Sequence, residues 1–422
     1  MNKLNLSDRF FVLIQEQSDY IIYSRNNEQK YKINEDMFKL LEYIQKEKKT
    51  TEELCEELLI EEVVLKHLVK LGILTYDNVI NYNPFVYSNG ISRLFIQLTS
   101  QCNLGCEHCF NSSGLGNTTQ LNEKDVINVI EKAVNDGVYQ IDFTGGEIFT
   151  YKHIYKLLNY LECKPVKTHI FTNLTLIKNE QIDFLASLKG LYKIITSLDF
   201  YSPSKHNNFR KGKFAFERTV KNIRKLKEKG FNNITVNVMV FKENHNELEY
   251  LIRFLENDLK VDYRLDTIIP EGRGKLLISS KIDKELEENA NLLADLDYKR
   301  ISSFLKEGEN IETPFCGVGK NMVYINSAGN VVLCPSLGLE LSPKYYFGDI
   351  EQESFSIKNI NKQLKSFSGL ACQVSDCEFS RNCAGGCRAR ALLYNGEISG
   401  PDPIMCQYFN RLKEEGKIHV SI

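Results

Sequence analysis

Apolar residues along the chain change their spacing in three stages. Between residues 9 and 34 they fall in three short runs, RFFVLIQ, DYIIYSR and QKYKIN, with Asn26 and Asn27 between the second and third, and this predicts three strands. From 35 to 71 the spacing lengthens to three and four residues, predicting helices near 35–46, 51–58 and 61–71. Thr50 or Thr51 supplies the N-cap of the second helix, glutamates fill its first turn, and Gly72 stops the third. Residues 77–92 mix Pro, Asn, Ser and Gly without a period and read as a linker.

From residue 93 short apolar runs alternate with amphipathic helices. Strands are predicted at 93–99, 139–144, 168–172, 193–199, 234–241 and 262–268, with helices near 122–136, 152–162, 179–188, 216–229 and 246–257. Runs of this kind are buried parallel strands joined by right-handed crossovers. The expected fold class is therefore α/β, a partial (β/α)6 TIM-like barrel, preceded by a winged-helix-like α+β domain and followed by a cysteine-rich domain. Residues 276–312 read as a helical bridge and NMVYINSAGNVVLCP, 321–335, as a hairpin. The layout is 1–78 for the first domain, 79–92 for the linker, 93–275 for the barrel, 276–312 for the bridge and 313–422 for the last domain. In such barrels the reactive groups gather at the C-terminal ends of the strands.

Composition narrows the chemistry. The 422 residues carry 53 Lys and Arg against 55 Asp and Glu, a net charge of −2, which excludes a nucleic-acid binder driven by bulk charge. No apolar run approaches the ~18 residues of a membrane span, and MNKLNLSDRFFVLIQEQ lacks the apolar core of a signal peptide. The expectation is a cytoplasmic protein with no membrane partner, whose thiols are reduced and free to bind metal. It holds 12 cysteines. Cys102, Cys106 and Cys109 form one group, and Cys316, Cys334, Cys372, Cys377, Cys383, Cys387 and Cys406 another, while Cys55 and Cys163 stand alone in helical patterns with packing roles.

The first group has the spacing CxxxCxxC and lies just past the first barrel strand. Three thiolates on one short loop suit a 4Fe–4S cluster with one open iron. A zinc knuckle is the alternative, with His108 as the local fourth ligand. The next strand ends in Thr144, Gly145, Gly146 and Glu147, two glycines for close approach to backbone and a carboxylate for an ammonium group. The cysteine motif followed by GGE one strand later resembles the radical S-adenosylmethionine (SAM) superfamily. That resemblance implies that Cys102, Cys106 and Cys109 hold the SAM-binding cluster, that Gly145, Gly146 and Glu147 meet the SAM amino group, and that Phe110 lies near the adenine. It also implies SAM ribose or carboxylate contacts at Asn173, Ser197, Arg210 and Arg273.

The second cysteine group resembles the SPASM domain, a module with auxiliary 4Fe–4S clusters, although four residues separate Cys372 from Cys377 where two are common. The family's interleaved ligation assigns Cys372, Cys377, Cys383 and Cys406 to an outer cluster. Cys316, Cys334 and Cys387 then fall to an inner one, which is left a cysteine short and open to a substrate thiolate or to Glu312. The resemblance thus implies three 4Fe–4S clusters in all. A pair of zinc ribbons is the alternative.

A winged helix often binds DNA, but residues 51–62 hold Glu52, Glu53, Glu56, Glu57, Glu61 and Glu62 with no Lys or Arg, a face that repels phosphate. The arrangement resembles the leader-peptide recognition domain of pyrroloquinoline quinone biosynthesis, in which a leader adds as a strand to the sheet edge. QKYKIN together with Val63, Leu65, Leu68 and Val69 is the corresponding surface. As a whole the chain resembles peptide maturases that form Cys thioether (sactionine-type) crosslinks, and this implies a leader-bearing precursor peptide and a reductant such as flavodoxin or ferredoxin. The sequence suggests no catalytic side-chain acid or base. A carbon–carbon crosslinking maturase, or another peptide- or small-molecule-modifying member, is the alternative within the class, and a non-catalytic iron–sulfur scaffold the alternative outside it.

Overall fold

The computed structural model describes residues 3–15, 19–76, 80, 82–88, 90–278, 284–302, 318, 321–337, 345–352, 355–365, 377–379, 383 and 385–417. Cys316, Cys372 and Glu312 lie outside the described residues.

The N-terminal elements are β1 (Asn5–Leu6), β2 (Phe10–Gln15), β3 (Asp19–Ser24), β4 (Lys30–Ile33), α1 (Glu35–Glu47), α2 (Thr51–Leu58), α3 (Glu62–Lys70), β5 (Leu74–Thr75) and β6 (Phe85–Tyr87). Thr50 caps α2 in a reciprocal capping box with Glu53, and Asn34 caps α1. The presumed linker is partly strand. β6 runs parallel to β2 because Val86 is buried against Phe11 and Leu13, making a sheet of order β4-β3-β2-β6 beside a small β1-β5 ribbon. A separate core forms around Leu41, Ile44, Leu54, Leu65 and Leu68, so the last two face inward rather than lining the expected docking surface.

The central unit alternates as its apolar runs dictate: β7 (Arg93–Gln97), α4 (Glu123–Asn135), β8 (Gln140–Thr144), α5 (Ile154–Glu162), β9 (Lys167–Phe171), α6 (Asn179–Ser187), β10 (Leu191–Ser197), α7 (Pro203–Phe209), α8 (Ala215–Glu228), β11 (Ile234–Val240), α9 (His245–Arg253) and β12 (Asp262–Thr267). Then follow α10 (Lys284–Ser302), β13 (Met322–Ile325), β14 (Asn330–Val332), β15 (Tyr346–Asp349), α11 (Ile357–Lys365), α12 (Arg388–Asn395) and α13 (Pro403–Glu414).

Strands β7 to β12 are parallel neighbours in sequence order. The expected hairpin forms, and its first strand does more than expected: β13 pairs parallel with β7 and extends the barrel sheet, with β14 and β15 antiparallel beyond it. Alternate residues of each strand, such as Ile141 and Phe143 of β8 or Val236, Val238 and Val240 of β11, enter one large core under the helices.

The N-terminal unit docks on the floor of the barrel through Arg25, which is fully buried. Its guanidinium donates to the carbonyls of Leu161 (2.8 Å) and Glu162 (3.1 Å) at the C-terminus of α5, to Val166 O (3.1 Å) just before β9, and to Asp8 O (2.9 Å) in its own unit. A cation there also complements the negative end of the helix dipole. Lys189 Nζ reaches the Asp8 carboxylate at 2.5 Å. Among the described residues no helix is long and apolar enough to cross a membrane.

Candidate active site

The cysteine loop leaves the C-terminal end of β7 and is held from three sides. Gly105 N donates to Arg210 O (3.2 Å) and Glu107 N to Phe209 O (3.0 Å), so the end of α7 supports its outer wall. Leu104 and Ala215, the first residue of α8, pack against Cys102 and Cys106. Arg273, in the turn after β12, donates through its backbone N to Cys109 O (3.0 Å), through Nε to Cys106 O (2.7 Å) and through Nη2 to Ser113 O (2.8 Å). Gly272 permits that approach: it sits at φ 53, and a Cβ there would fall 2.6 Å from Cys109 O. Arg273, expected on sequence grounds at the SAM carboxylate or ribose, therefore spends these donors on the carbonyls of the cysteine loop.

Cys102 is buried and its sulfur accepts from Leu104 N (3.4 Å) and Asn173 Nδ2 (3.9 Å). Cys106 and Cys109 are half-buried. Burial pushes the Cys102 thiol up to about 12 and raises that of Cys106, so iron or a comparable cation is needed for either to bind as thiolate. Among the described residues no three His, Cys, Asp or Glu side chains converge as ligands of a single metal ion. In a cubane each iron takes its own thiolate, so its protein ligands need not meet at one point. His108 faces inward, its ring stacked on Phe209 at 4.8 Å and 1°, with Nδ1 buried and unpaired among the described residues. Burial lowers its pKa to about 4.

The GGE segment is built differently from the sequence expectation. Gly146 N donates to Thr99 O (2.7 Å) and Glu147 N to Gln101 O (2.8 Å), and a Cβ on Gly146 would fall 2.6 Å from Gln101 C and 2.8 Å from Ser100 O. The second glycine thus lets β8's end touch the backbone of the cysteine loop. Glu147 is fully buried and not open to an ammonium group. Its carboxylate accepts from Thr172 Oγ1 (2.6 Å), Asn173 N (2.6 Å) and Phe149 N (3.1 Å), fixing the end of β9. Burial outweighs those hydrogen bonds and raises its pKa to about 7. The half-exposed backbone of Gly145 and Gly146 is what remains open to a ligand.

Asn173 is held by Asn103 Oδ1 (3.0 Å) and by Thr175, whose N (2.9 Å) and Oγ1 (2.7 Å) donate to its Oδ1. Ser197 closes β10, level with Asn237 of β11, and is half-buried. Phe110 is half-buried at the loop's end. Arg210 is buried and pairs through Nε with Asp199 Oδ2 (2.7 Å), and its charge is felt at Cys106 and Cys102. Burial alone would raise the Asp199 pKa, but Arg210 and the imidazoles of His108 and His206 carry it down to about 2.

In the C-terminal part Cys377, Cys383 and Cys406 line one pocket with Phe379, Asp402 and Phe409. Burial raises the Cys383 thiol to about 12. Cys387 starts α12, its N–H on Asp402 Oδ2 at 2.7 Å. Arg390 bridges Asp402 (2.9 Å) to Asp266 of β12 (2.8 Å), tying this part to the mouth of the barrel. Cys334 follows β14 and is buried, beside Tyr324, whose hydroxyl donates to Gln97 Oε1 at 2.9 Å.

Residues 96–255 match the model of the radical SAM superfamily. The chain carries a radical SAM domain. Its three-thiol loop and open glycine backbone fit the cofactors that follow, SAM and one 4Fe–4S cluster. Over 315 residues the chain is 26% identical to the antilisterial bacteriocin subtilosin biosynthesis protein AlbA of Bacillus subtilis, spanning 71% of this chain and 67% of AlbA. It is 24% identical to the mycofactocin maturase MftC of Mycolicibacterium smegmatis over 322 residues, 73% of this chain and 80% of MftC. Streptococcus suis SuiB bound to its precursor peptide SuiA shares the fold at 17% identity and a TM-score of 0.65, over 94% of this chain and 98% of SuiB.

Of the residues that build this site, the sequence gives no place to Asp199, offers His108 only as a zinc ligand, and puts Arg273 on SAM where the structure makes it a clamp on the cysteine loop. A carboxylate at the end of the β10 strand, followed eleven residues later by Arg210, was the one visible signal for the Asp199 pair.

Proposed function

We propose that this radical SAM enzyme forms Cys thioether crosslinks in a ribosomally made precursor peptide. With its cofactors bound, the site supplies a 5′-deoxyadenosyl radical that removes a hydrogen atom from a peptide carbon. The chain's own residues bind and orient. Cys102, Cys106 and Cys109 hold the first cluster, and Gly145 and Gly146 offer backbone oxygens to the SAM ammonium. Arg210, fixed by Asp199, offers charge to the SAM carboxylate. Phe110, Asn173 and Ser197 border the nucleoside. Glu147 and Arg273 act through others, the first by holding Asn173, the second by clamping the loop.

The observation that carries the thioether reading is the tie between the two cysteine regions. Arg390 joins Asp266 at the barrel mouth to Asp402, which also holds the N–H of Cys387. A second thiol-lined site tied to the barrel mouth can present a peptide thiolate to the carbon radical, and alignment of that kind is worth many orders of magnitude in rate. In this reading Cys372, Cys377, Cys383 and Cys406 hold an outer 4Fe–4S cluster. Cys316, Cys334 and Cys387 hold an inner one with an open iron for the peptide sulfur. The leader adds to the outer edge of β4, and on α3 Val63, 63% exposed, and Val69 remain available while Leu65 and Leu68 belong to the core.

The test is an anaerobic incubation with cysteine-containing peptides made from the short open reading frames that flank the gene. The expected product lacks two hydrogens per crosslink and has lost one alkylatable cysteine for each. A product that lacks two hydrogens but keeps every cysteine alkylatable establishes a carbon–carbon crosslink instead.

A further inference from the structure

The wall outside the cysteine loop is strongly basic. Residues 210–229 hold nine Lys and Arg against two Glu, a net +7, in a chain of net charge −2. Five of the nine are engaged. Arg210 pairs with Asp199, Lys211 with Glu107 and Lys229 with Asp183, while Lys225 donates to Asn179 Oδ1 and Lys227 to the carbonyls of Leu259 and Lys260. Lys213, Arg218, Lys221 and Arg224 are exposed, and among the described residues none has a carboxylate partner. With Glu217 and Glu228 counted, the face is still net positive, and such an excess of unpaired cations repels itself, a cost unless something of opposite sign uses it.

Two further features mark the patch. Phe214 stands in it 48% exposed, in the left-handed region at φ 65, with Lys213 Nζ 5.2 Å from its ring centre. A large apolar ring held outward in an unfavourable backbone conformation is an unusual use of a phenylalanine. The patch also shares its wall with the thiols. Ala215 shares a buried cluster with Leu104, Cys102 and Cys106, Gly105 N bonds Arg210 O, and Glu107 of the cysteine loop pairs with Lys211.

We propose that Lys213, Phe214, Arg218, Lys221 and Arg224 form the docking surface for an acidic, low-potential electron carrier of the flavodoxin type. The inference rests on the reading of Cys102, Cys106 and Cys109 as the SAM-cluster site, which must receive one electron for each reductive cleavage. The carrier's reduced flavin gives up one electron and the oxidised cluster gains it, with no bond made or broken in the transfer. Charge complementarity sets the partner's sign, and Phe214 offers a flat apolar contact for an exposed flavin edge.

The test mixes cluster-loaded enzyme with photoreduced flavodoxin and follows bleaching of the cluster absorbance at low and high salt, alongside a binding titration of oxidised flavodoxin. Wild-type reduction is expected to slow about tenfold or more from ~50 to ~500 mM salt as steering is screened. Arg218→Glu, Lys221→Glu and Arg224→Glu combined should be at least about tenfold slower than wild type at low salt and converge with it at high salt, with binding weakened in step. Reduction by dithionite, and 5′-deoxyadenosine formed with dithionite, should not change. The milder Arg218→Gln, which leaves the fold intact, should slow the flavodoxin reaction about two- to threefold. Flavodoxin reduction at the wild-type rate in the charge-reversed protein at low salt overturns the docking surface. Failure of dithionite to reduce a cluster in wild type overturns the cluster reading beneath it.

Discussion

Arg273→Lys separates two accounts of one residue. The sequence resemblance puts the guanidinium on SAM, and the structure puts it on the cysteine loop, with hydrogen bonds of 2.7 Å to Cys106 O and 2.8 Å to Ser113 O. Both are shorter than the ~2.9–3.0 Å usual for N–H···O, as charge-assisted bonds are. A lysine ammonium has no planar fork and can reach only one of the two carbonyls. Each bond from a charged donor contributes about 1.5–3 kcal/mol, so the lysine variant should loosen the closed loop by ~2 kcal/mol, roughly a thirtyfold shift. Arg273→Ala forfeits both, ~4 kcal/mol. The assays are iron and sulfide per chain after reconstitution, and the change that SAM makes in the EPR spectrum of the reduced protein. Iron bound by the first site should fall in the lysine variant and nearly vanish in the alanine variant, while the fraction that keeps a cluster binds SAM as wild type does. Full iron content with SAM affinity down tenfold would refute the clamp and restore a direct SAM contact.

Gly146→Ala should prevent the loop from seating, because its Cβ would meet backbone of Ser100 and Gln101 that cannot swing aside, and no SAM-responsive cluster should form on reconstitution. Arg25→Met keeps the bulk of the side chain but leaves four backbone carbonyls without their donor, so thermal unfolding should show a loss of ~4 kcal/mol and protease should cut between the N-terminal unit and the barrel. Glu147 has its folded-state pKa raised from 4.5 to about 7, so the folded apoprotein holds this proton more tightly than the unfolded chain. That contribution is complete below pH ~4.5 and is lost as pH rises through ~7, costing ~3 kcal/mol in full. Denaturant titrations should show this slope in wild type relative to Glu147→Gln, and parallel stability curves would contradict it.

Much of the barrel was readable because a buried parallel strand must be apolar on both faces and a covering helix on one. Thus the run 234–241 in the sequence became β11, Ile234–Val240, and 122–136 became α4, Glu123–Asn135. The motif cysteines were readable because their spacing is local. What escaped notice depends on partners far away in the chain. β6 is three residues that form a strand only because β2 offers an edge to Phe85–Tyr87. β13 looked like half of a hairpin, and nothing near it in sequence says that its other side pairs with β7. Arg25 sits in a strand-to-turn segment like any surface arginine, and only the arrival of α5's C-terminus explains its burial. Glu147 and Arg273 were found as site residues but given a ligand-facing role, since a sequence shows that a charge is near a site and not which way it points.

The most direct test of the central claim is anaerobic reduction of the reconstituted protein in the presence of SAM, with 5′-deoxyadenosine and methionine measured together. The account predicts that both appear in equal amounts, that Cys106→Ala abolishes both, and that Cys383→Ala leaves the uncoupled cleavage largely intact. No 5′-deoxyadenosine from a protein fully loaded with iron and sulfide would contradict it.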